Sequence, residues 1–330
     1  MLPQIPFIKP LPLHIPDGFL SLPVALVFWA VAAGMIALAI RRTQTELGER
    51  QIPLMGLMAA FIFAAQMINF PVAGGTSGHL LGGALASITL GPWAAMIVMA
   101  SVIGVQALLF QDGGLVVMGA NIFNMGLMTA LIGYGLYRGV AGSRRSVRLP
   151  VAGLAAWLSV MAGALATALQ LWLSGTALLR VVVPAMLGVH ALIGLGEALI
   201  TVAALSFISR VRPDLVEAQR TLAAGGRGWI LAGLAATFAV VVLSPLASAN
   251  PDGLERVAAD LGFTDRAGPL FYNILSDYTI PFIPQSGIST ILAGALGVLV
   301  VAGLTVILLR AIHRTTRPDR LVNASDTDAH

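Results

Sequence analysis

The chain contains no cysteine. Disulfides and thiolate metal sites are therefore excluded, and any metal must be held by His, Met, carboxylate or backbone groups. Charge is nearly as scarce: 10% of the 330 residues are Asp, Glu, Lys or Arg, against about 25% in a soluble globular domain. The gaps are long. Residues 53–137 hold only Asp112, residues 149–209 hold only Arg180 and Glu197, and residues 228–248 and 279–309 hold none. There is no P-loop, so the chain has no ATPase site of its own. No repeat of 20–50 residues is evident, which argues against a solenoid.

What is present is apolar. Hydrophobic residues make up 57% of the chain, with a mean hydropathy of +0.88. A membrane span needs about 20 apolar residues, and the pattern predicts an all-α polytopic membrane protein. Nine spans are expected, over residues 23–40, 53–70, 80–90, 93–110, 115–137, 150–174, 181–209, 229–246 and 287–309. The third is short and runs into the fourth through Gly91-Pro92, a turn signal. The net charge of +4 does not point to nucleic acid, because the basic residues flank the apolar runs. With the N-terminus outside, the cytoplasmic loops would hold Arg41, Arg42, Arg50, Arg138, Arg144, Arg145, Arg148, Arg210, Arg212, Arg220, Arg227, Arg310, Arg314, Arg317 and Arg320. Only Lys9, Arg180, Arg256 and Arg266 fall elsewhere, which is the positive-inside pattern. A polar stretch near 211–228 divides seven spans from two, and the two enclose an exterior loop at 247–286. Residues 1–12 hold four prolines and one lysine. They have no apolar core of roughly 7–15 residues and do not read as a signal peptide.

Among five histidines, His313 and His330 fall in the cytoplasmic tail and read as solvated. His14, in LHIPDGFLS, and His79, in the Gly-rich run PVAGGTSGHLLGG, are both expected at the outer ends of spans, where they can meet. Imidazole is the commonest metal ligand and suits Ni, Co, Cu and Zn; a loop histidine bonded to nearby carbonyls is as good a reading. His190 and Glu197 are seven residues apart, near one helix face. They can be metal ligands, a proton relay or a polar lock between helices, the lock being favoured. Asp112, before two glycines, reads first as a turn former. Gln106, Asn121 and Asn124 are amides on neighbouring spans, placed either to orient a histidine or loop or to bond helix to helix. Ala30, Ala33, Gly34 and Ala37 follow small-xxx-small spacing, which permits close packing within the protein or on a membrane partner.

The stretches HIPDGFL, GTSGHLLGG, FQDGG, GANIFNMG and HALIGLGEA, in this order, resemble the substrate-binding subunit of nickel and cobalt energy-coupling factor transporters, the CbiM/NikM family. NPDGLE at 250–255 resembles the PDGLE domain that accompanies or is fused to that family. The resemblance implies a metal-binding seven-span domain over 13–222, after an N-terminal extension over 1–12, and a PDGLE-like two-span domain over 223–330. It implies that the terminal amine, the backbone nitrogen of the first histidine, its imidazole and a second imidazole from the Gly-rich loop bind the metal. Carried over here, these are Leu13 (as the amine if the chain starts there), His14 and His79, with Asp17, Gln106, Asn121 and Asn124 as candidates to orient them. In the family the protein begins Met-His. Here twelve residues precede Leu13, and the expectation is that the mature chain starts at 13, since leucine codons TTG and CTG can initiate as Met.

The function implied is capture of Ni(II) or Co(II), with a lean toward nickel, as transported substrate and without a permanently bound cofactor. The implied partners are a transmembrane coupling subunit and cytoplasmic ABC-type ATPases that use the ATP. The location is the plasma membrane of a bacterium or archaeon, amid lipid, with the N-terminus outside and the C-terminus cytoplasmic. Two rivals carry less. An intramembrane metal-dependent hydrolase using His79, His190 and Glu197 lacks HExxH spacing. An ion-driven secondary transporter is expected to show inverted repeats and intramembrane carboxylates.

Overall fold

The structure is a computed structural model and describes residues 14–46, 48, 51–212, 215, 228–268, 272 and 274–314. The expectations for Leu13 and for residues 1–12 lie outside the described residues, as does the whole tail after Arg314.

Among the described residues the chain is mostly helical. In order come α1 (Leu22–Glu46), α2 (Ile52–Gln66), a hairpin of β1 (Phe70–Val72) and β2 (Thr76–Gly78), α3 (Gly83–Leu90) and α4 (Pro92–Val105), the last continued by a π-turn (Gln106–Phe110). Then follow α5 (Met118–Asn121), a second π-segment (Ile122–Met128), α6 (Thr129–Arg138), α7 (Arg145–Leu173), α8 (Leu179–Val211), α9 (Gly228–Leu243), α10 (Gly253–Leu261) and α11 (Ser286–Arg314). Among the described residues, six helices are long and apolar enough to cross a membrane: Leu22–Gln44, Pro92–Phe110, Arg145–Leu173, Leu179–Val211, Gly228–Leu246 and Ser286–His313. α2 is a shorter apolar helix.

The third expected span takes a different form. Residues 80–90 give only the eight-residue α3, about 12 Å long at 1.5 Å per residue. Gly82 and Gly91 bound it, both at positive φ. The Gly-rich run ahead of it is a small antiparallel hairpin, with Phe70 opposite Gly78 and Val72 opposite Thr76, so the chain enters the bundle as a loop. Non-helical backbone of this kind is tolerated at membrane depth only when protein surrounds it. Here Thr76, Ser77, His79 and Leu80 are all buried.

α2, α3 and α4 form the centre. Their apolar residues run all round the helix, as in a buried span. α2 is flanked by α4, α9 and α11, α3 by α4 and α6, and α7 pairs with α8. The last two long helices thus pack onto the rest of the bundle. Gly56 of α2 lies against Val306, and Gly294 and Gly297 of α11 lie against Met67 and Phe63. α1 is peripheral: it buries Ala25, Ala32 and Ala39 and leaves Ala30, Ala33, Gly34 and Ala37 exposed.

Candidate metal site

Four segments far apart in sequence meet at one end of the bundle: the turn at 14–20, the loop at 79–82, the turn at 111–117 and the start of α10. The 14–20 turn is pinned by its own polar groups. Asn121 treats Ile15 as a neighbouring strand would, its Oδ1 accepting from Ile15 N (3.1 Å) and its Nδ2 donating to Ile15 O (3.0 Å). Asp17 accepts from the amides of Leu115 (3.0 Å) and Val117 (3.1 Å), while its carbonyl accepts from Gly268 N at 2.6 Å. Gly18 has φ +93°, and a Cβ there would collide with the carbonyl oxygen of Arg266; only glycine suits this turn.

This pinning buries His14, 3% exposed, beside His79, 8% exposed. The ring centroids are 5.5 Å apart and the planes cross at 64°. With metal–nitrogen bonds of about 2.0 Å, two imidazoles sharing one ion have centroids roughly 4.5–6.5 Å apart, so the pair is within bridging reach. Carbonyl oxygens fix which nitrogen is available. His14 Nδ1 lies 3.0 Å from Asp112 O and His79 Nδ1 lies 3.0 Å from Leu80 O. A carbonyl only accepts, so each Nδ1 carries the hydrogen and each Nε2 the lone pair. His14 Nε2 is buried with no hydrogen-bond partner, an arrangement that asks for an explanation. The chelate implied for residue 13 closes its six-membered ring through Nδ1, so His14 would first have to leave the Asp112 carbonyl.

The two rings border a cavity of about 70 Å³ that is also lined by Asn121, Asn124, His190, Asp252 and Gly253. That volume holds several waters by the measure that one needs about 10–15 Å³. Among the described residues, no three His, Cys, Asp or Glu side chains are grouped to hold an ion.

The other candidates separate. Gln106 donates to the Tyr278 hydroxyl (3.2 Å), and its carbonyl accepts from Asp112 N (3.1 Å), so it supports the turn that holds His14. Asn124 lines the cavity but spends its amide on α7, exchanging two 2.8 Å bonds with Gln170 and donating to Thr167 (3.1 Å). It is a helix-to-helix bond. His190 and Glu197 share no hydrogen bond. His190 Nδ1 donates to Met186 O (2.8 Å), one turn back in α8. Glu197 accepts from the amides of Leu81 (2.6 Å) and Gly82 (3.0 Å), locking the His79 loop to α8. Both carboxylate oxygens thus accept from amides of the His79 loop, which gives Glu197 the helix-to-loop locking role.

Sequence reasoning missed two contributors, both from the loop at 247–286. Pro251 and Asn250 carbonyls accept from Ser77 N and Oγ, each at 2.8 Å, which seats the NPDGLE turn on the hairpin before His79. Asp252 then caps α10 in a reciprocal box with Glu255, as the DxxE spacing could have signalled. Burial raises the Asp252 carboxyl well above its ordinary range, and the neighbouring Glu255 adds to this. Gly253 rests against the His190 ring. The second contributor is Tyr278, whose hydroxyl donates to Asp112 Oδ2 at 2.7 Å. Burial and the Asp112 charge push that phenol well above its usual value, so it stays a donor.

Residues 14–215 match the family model described as the cobalt uptake substrate-specific transmembrane region, CbiM, and residues 227–314 match the PDGLE domain. The chain is 37% identical over 307 residues to an Archaeoglobus fulgidus protein provisionally named fused nickel transport protein NikMN, covering 90% of this chain and 98% of that one. It is 32% identical over 338 residues to the fused nickel transport protein NikMN of Rhodobacter capsulatus, covering 88% and 96%. A crystal structure described as a truncated transition metal transporter superposes with a TM-score of 0.55 at 33% identity, covering 60% of this chain and 98% of that one.

Proposed function

Because the chain belongs to the CbiM family of cobalt-uptake transmembrane regions and carries a PDGLE domain, we propose that it is the membrane-embedded capture subunit of an ATP-driven importer of Ni(II) or Co(II). It is a member of a nickel and cobalt transport family and not an enzyme. The observation that carries the proposal is the buried imidazole pair, with His14 Nε2 unpartnered at the edge of the cavity it shares with His79.

In this reading the metal domain spans 13–222 and the PDGLE-like domain 223–330. The ion enters from the outside and is taken by Nε2 of His14 and His79, with water or neighbouring donors completing the coordination. In a chain that starts at position 13, its amine, the His14 backbone nitrogen and His14 Nδ1, once off the Asp112 carbonyl, would instead chelate the ion in a square plane with His79, which favours nickel. The relatives' names lean the same way. Arginines on the opposite ends of the long helices support a site at the outer face of the plasma membrane, with the C-terminus cytoplasmic. The chain has no P-loop, so a coupling subunit and paired ATPases would supply the energy; the exposed small-residue face of α1 suits a membrane partner. The exterior loop, seated on the site, would control loading.

The test is uptake of radioactive nickel or cobalt by cells expressing the chain with and without its ATPase partners. Uptake that requires them and their intact ATP sites supports the proposal. Uptake that follows a proton gradient without them would return the secondary-transporter reading.

A further inference from the structure

A groove of about 310 Å³ lies between α2, α8 and α9, beyond Glu197 from the candidate metal site. Leu57 and Phe61 of α2, Ile200 and Phe207 of α8 and Gly233 and Ala236 of α9 are among its walls. Helix packing explains why it exists. α8 pairs with α7, while α9 rests on α2. Gly233 lets α9 sit directly on Leu57, since a Cβ there would lie 2.3 Å from Leu57 Cδ2. The groove is the space left between α8 and α9. Its walls are apolar except at one end. There stands Arg212, the only charged residue among the described ones that line it. Its guanidinium carbon lies 4.8 Å from the centre of the Trp229 ring, within cation–π range. From Ile200 to Arg212 the chain rises about 18 Å at 1.5 Å per residue. One leaflet supplies roughly 15 Å of hydrocarbon, half of a 30 Å core. The charged end therefore falls at the membrane–water boundary, where Trp and Arg settle.

We propose that this groove binds one anionic phospholipid of the bilayer, with an acyl chain between α2, α8 and α9 and the phosphate on Arg212. Charge and shape agree on this occupant. A guanidinium offers a rigid fork of N–H donors that matches a phosphate, and basic pockets between spans on the cytoplasmic side take anionic headgroups. The Arg-rich helix ends were read above as that side. A partner's transmembrane helix would need a face running through both leaflets, whereas the groove stops near Ile200, within one. The walls come from both regions of the chain, α2 and α8 from residues 14–215 and α9 from residues 227–314. A lipid held there joins the two. Neither His14 nor His79 takes part.

The test uses the full chain, purified in detergent and stripped of lipid. It is mixed with phosphatidylglycerol and with phosphatidylcholine of the same acyl chains, and bound lipid is counted by native mass spectrometry. Wild type is expected to hold one phosphatidylglycerol, preferred about 5-fold over phosphatidylcholine, the worth of one arginine at an anionic surface. Phosphatidylglycerol should also raise the melting temperature more, since a ligand of the folded state stabilises it. Arg212→Gln should keep a bound chain and lose the preference. Ala236→Phe fills the groove and should lose the lipid, with a lipid-free melting temperature close to wild type. If it does not fold, Ala203→Phe, on the α8 wall, is read in its place. Wild type without a retained lipid, a preference unchanged in Arg212→Gln, or lipid retained by the filled variant would each overturn the proposal. A filled variant that keeps its lipid and loses a coupling subunit would assign the groove to a partner's helix instead.

Discussion

At the scale of single residues, the site is held by backbone groups more than by side-chain pairs. Asn121 exchanges two hydrogen bonds with the backbone of Ile15, the residue after His14. Asn121→Leu removes both and leaves two buried backbone groups short, at about 1–3 kcal/mol each. The expected outcome is a lower melting temperature together with weaker Ni(II) binding, measured on the same preparation. Asn124→Leu breaks a bond to α7 and should lower the melting temperature with a smaller loss of metal affinity. Gly18→Ala should destabilise the turn, since the backbone is at positive φ and the Arg266 carbonyl occupies the space. The meeting of His14 and His79 could be read from the sequence, because both fall beside the outer ends of apolar segments. Tyr278 could not: it is one of five aromatics in the 247–286 loop, without spacing or period to single it out, and its partner is distant in sequence.

At the scale of elements, α3 and α10 show where local rules decide. Residues 80–90 are apolar enough to suggest a span, but glycines at 82 and 91 cut the helix to eight residues. The amides at the head of that helix are taken by Glu197 from α8. Glu197→Gln keeps one acceptor oxygen and loses the other, which should cost about 1–3 kcal/mol and loosen the His79 loop, measurable as faster hydrogen exchange at 79–83. The pairing of Glu197 with a loop, and not with His190, was beyond sequence, because helical spacing places two residues on a face without saying what opposes them. α10 carries a pH dependence. The buried Asp252 has a carboxyl pKa raised above the ordinary 3.8. Its acid form is favoured when folded, so its contribution to stability is complete below about 3.8 and is lost as pH rises through the raised value. Exchange protection of residues 252–261, corrected for the intrinsic rate, should therefore increase as pH is lowered from neutral. Asp252→Asn should flatten that slope, and protection that weakens on acidification would contradict the account.

At the scale of the whole molecule, the two-span C-terminal region is built into the bundle, and its connecting loop reaches the candidate site. α9 and α11 pack on α2, and the loop between them touches the His79 hairpin, the 14–20 turn and Asp112. Composition and charge made the membrane class and the helical segments legible, because the hydrophobic requirement of a span acts on every residue. The inward packing of the last two helices was not legible, since apolar helices look alike whether they face lipid or protein. Deleting 247–286 with a short linker should sharply cut metal uptake while α9 and α11 still insert; unchanged uptake would remove the loop from the mechanism. The central claim is that His14 and His79 together hold the ion. Its most direct test is metal content and equilibrium binding of Ni(II) and Co(II) to the purified chain beside His14→Ala and His79→Ala. The account predicts one ion per wild-type chain and loss of binding in each variant, and an ion retained at wild-type affinity in both would contradict it.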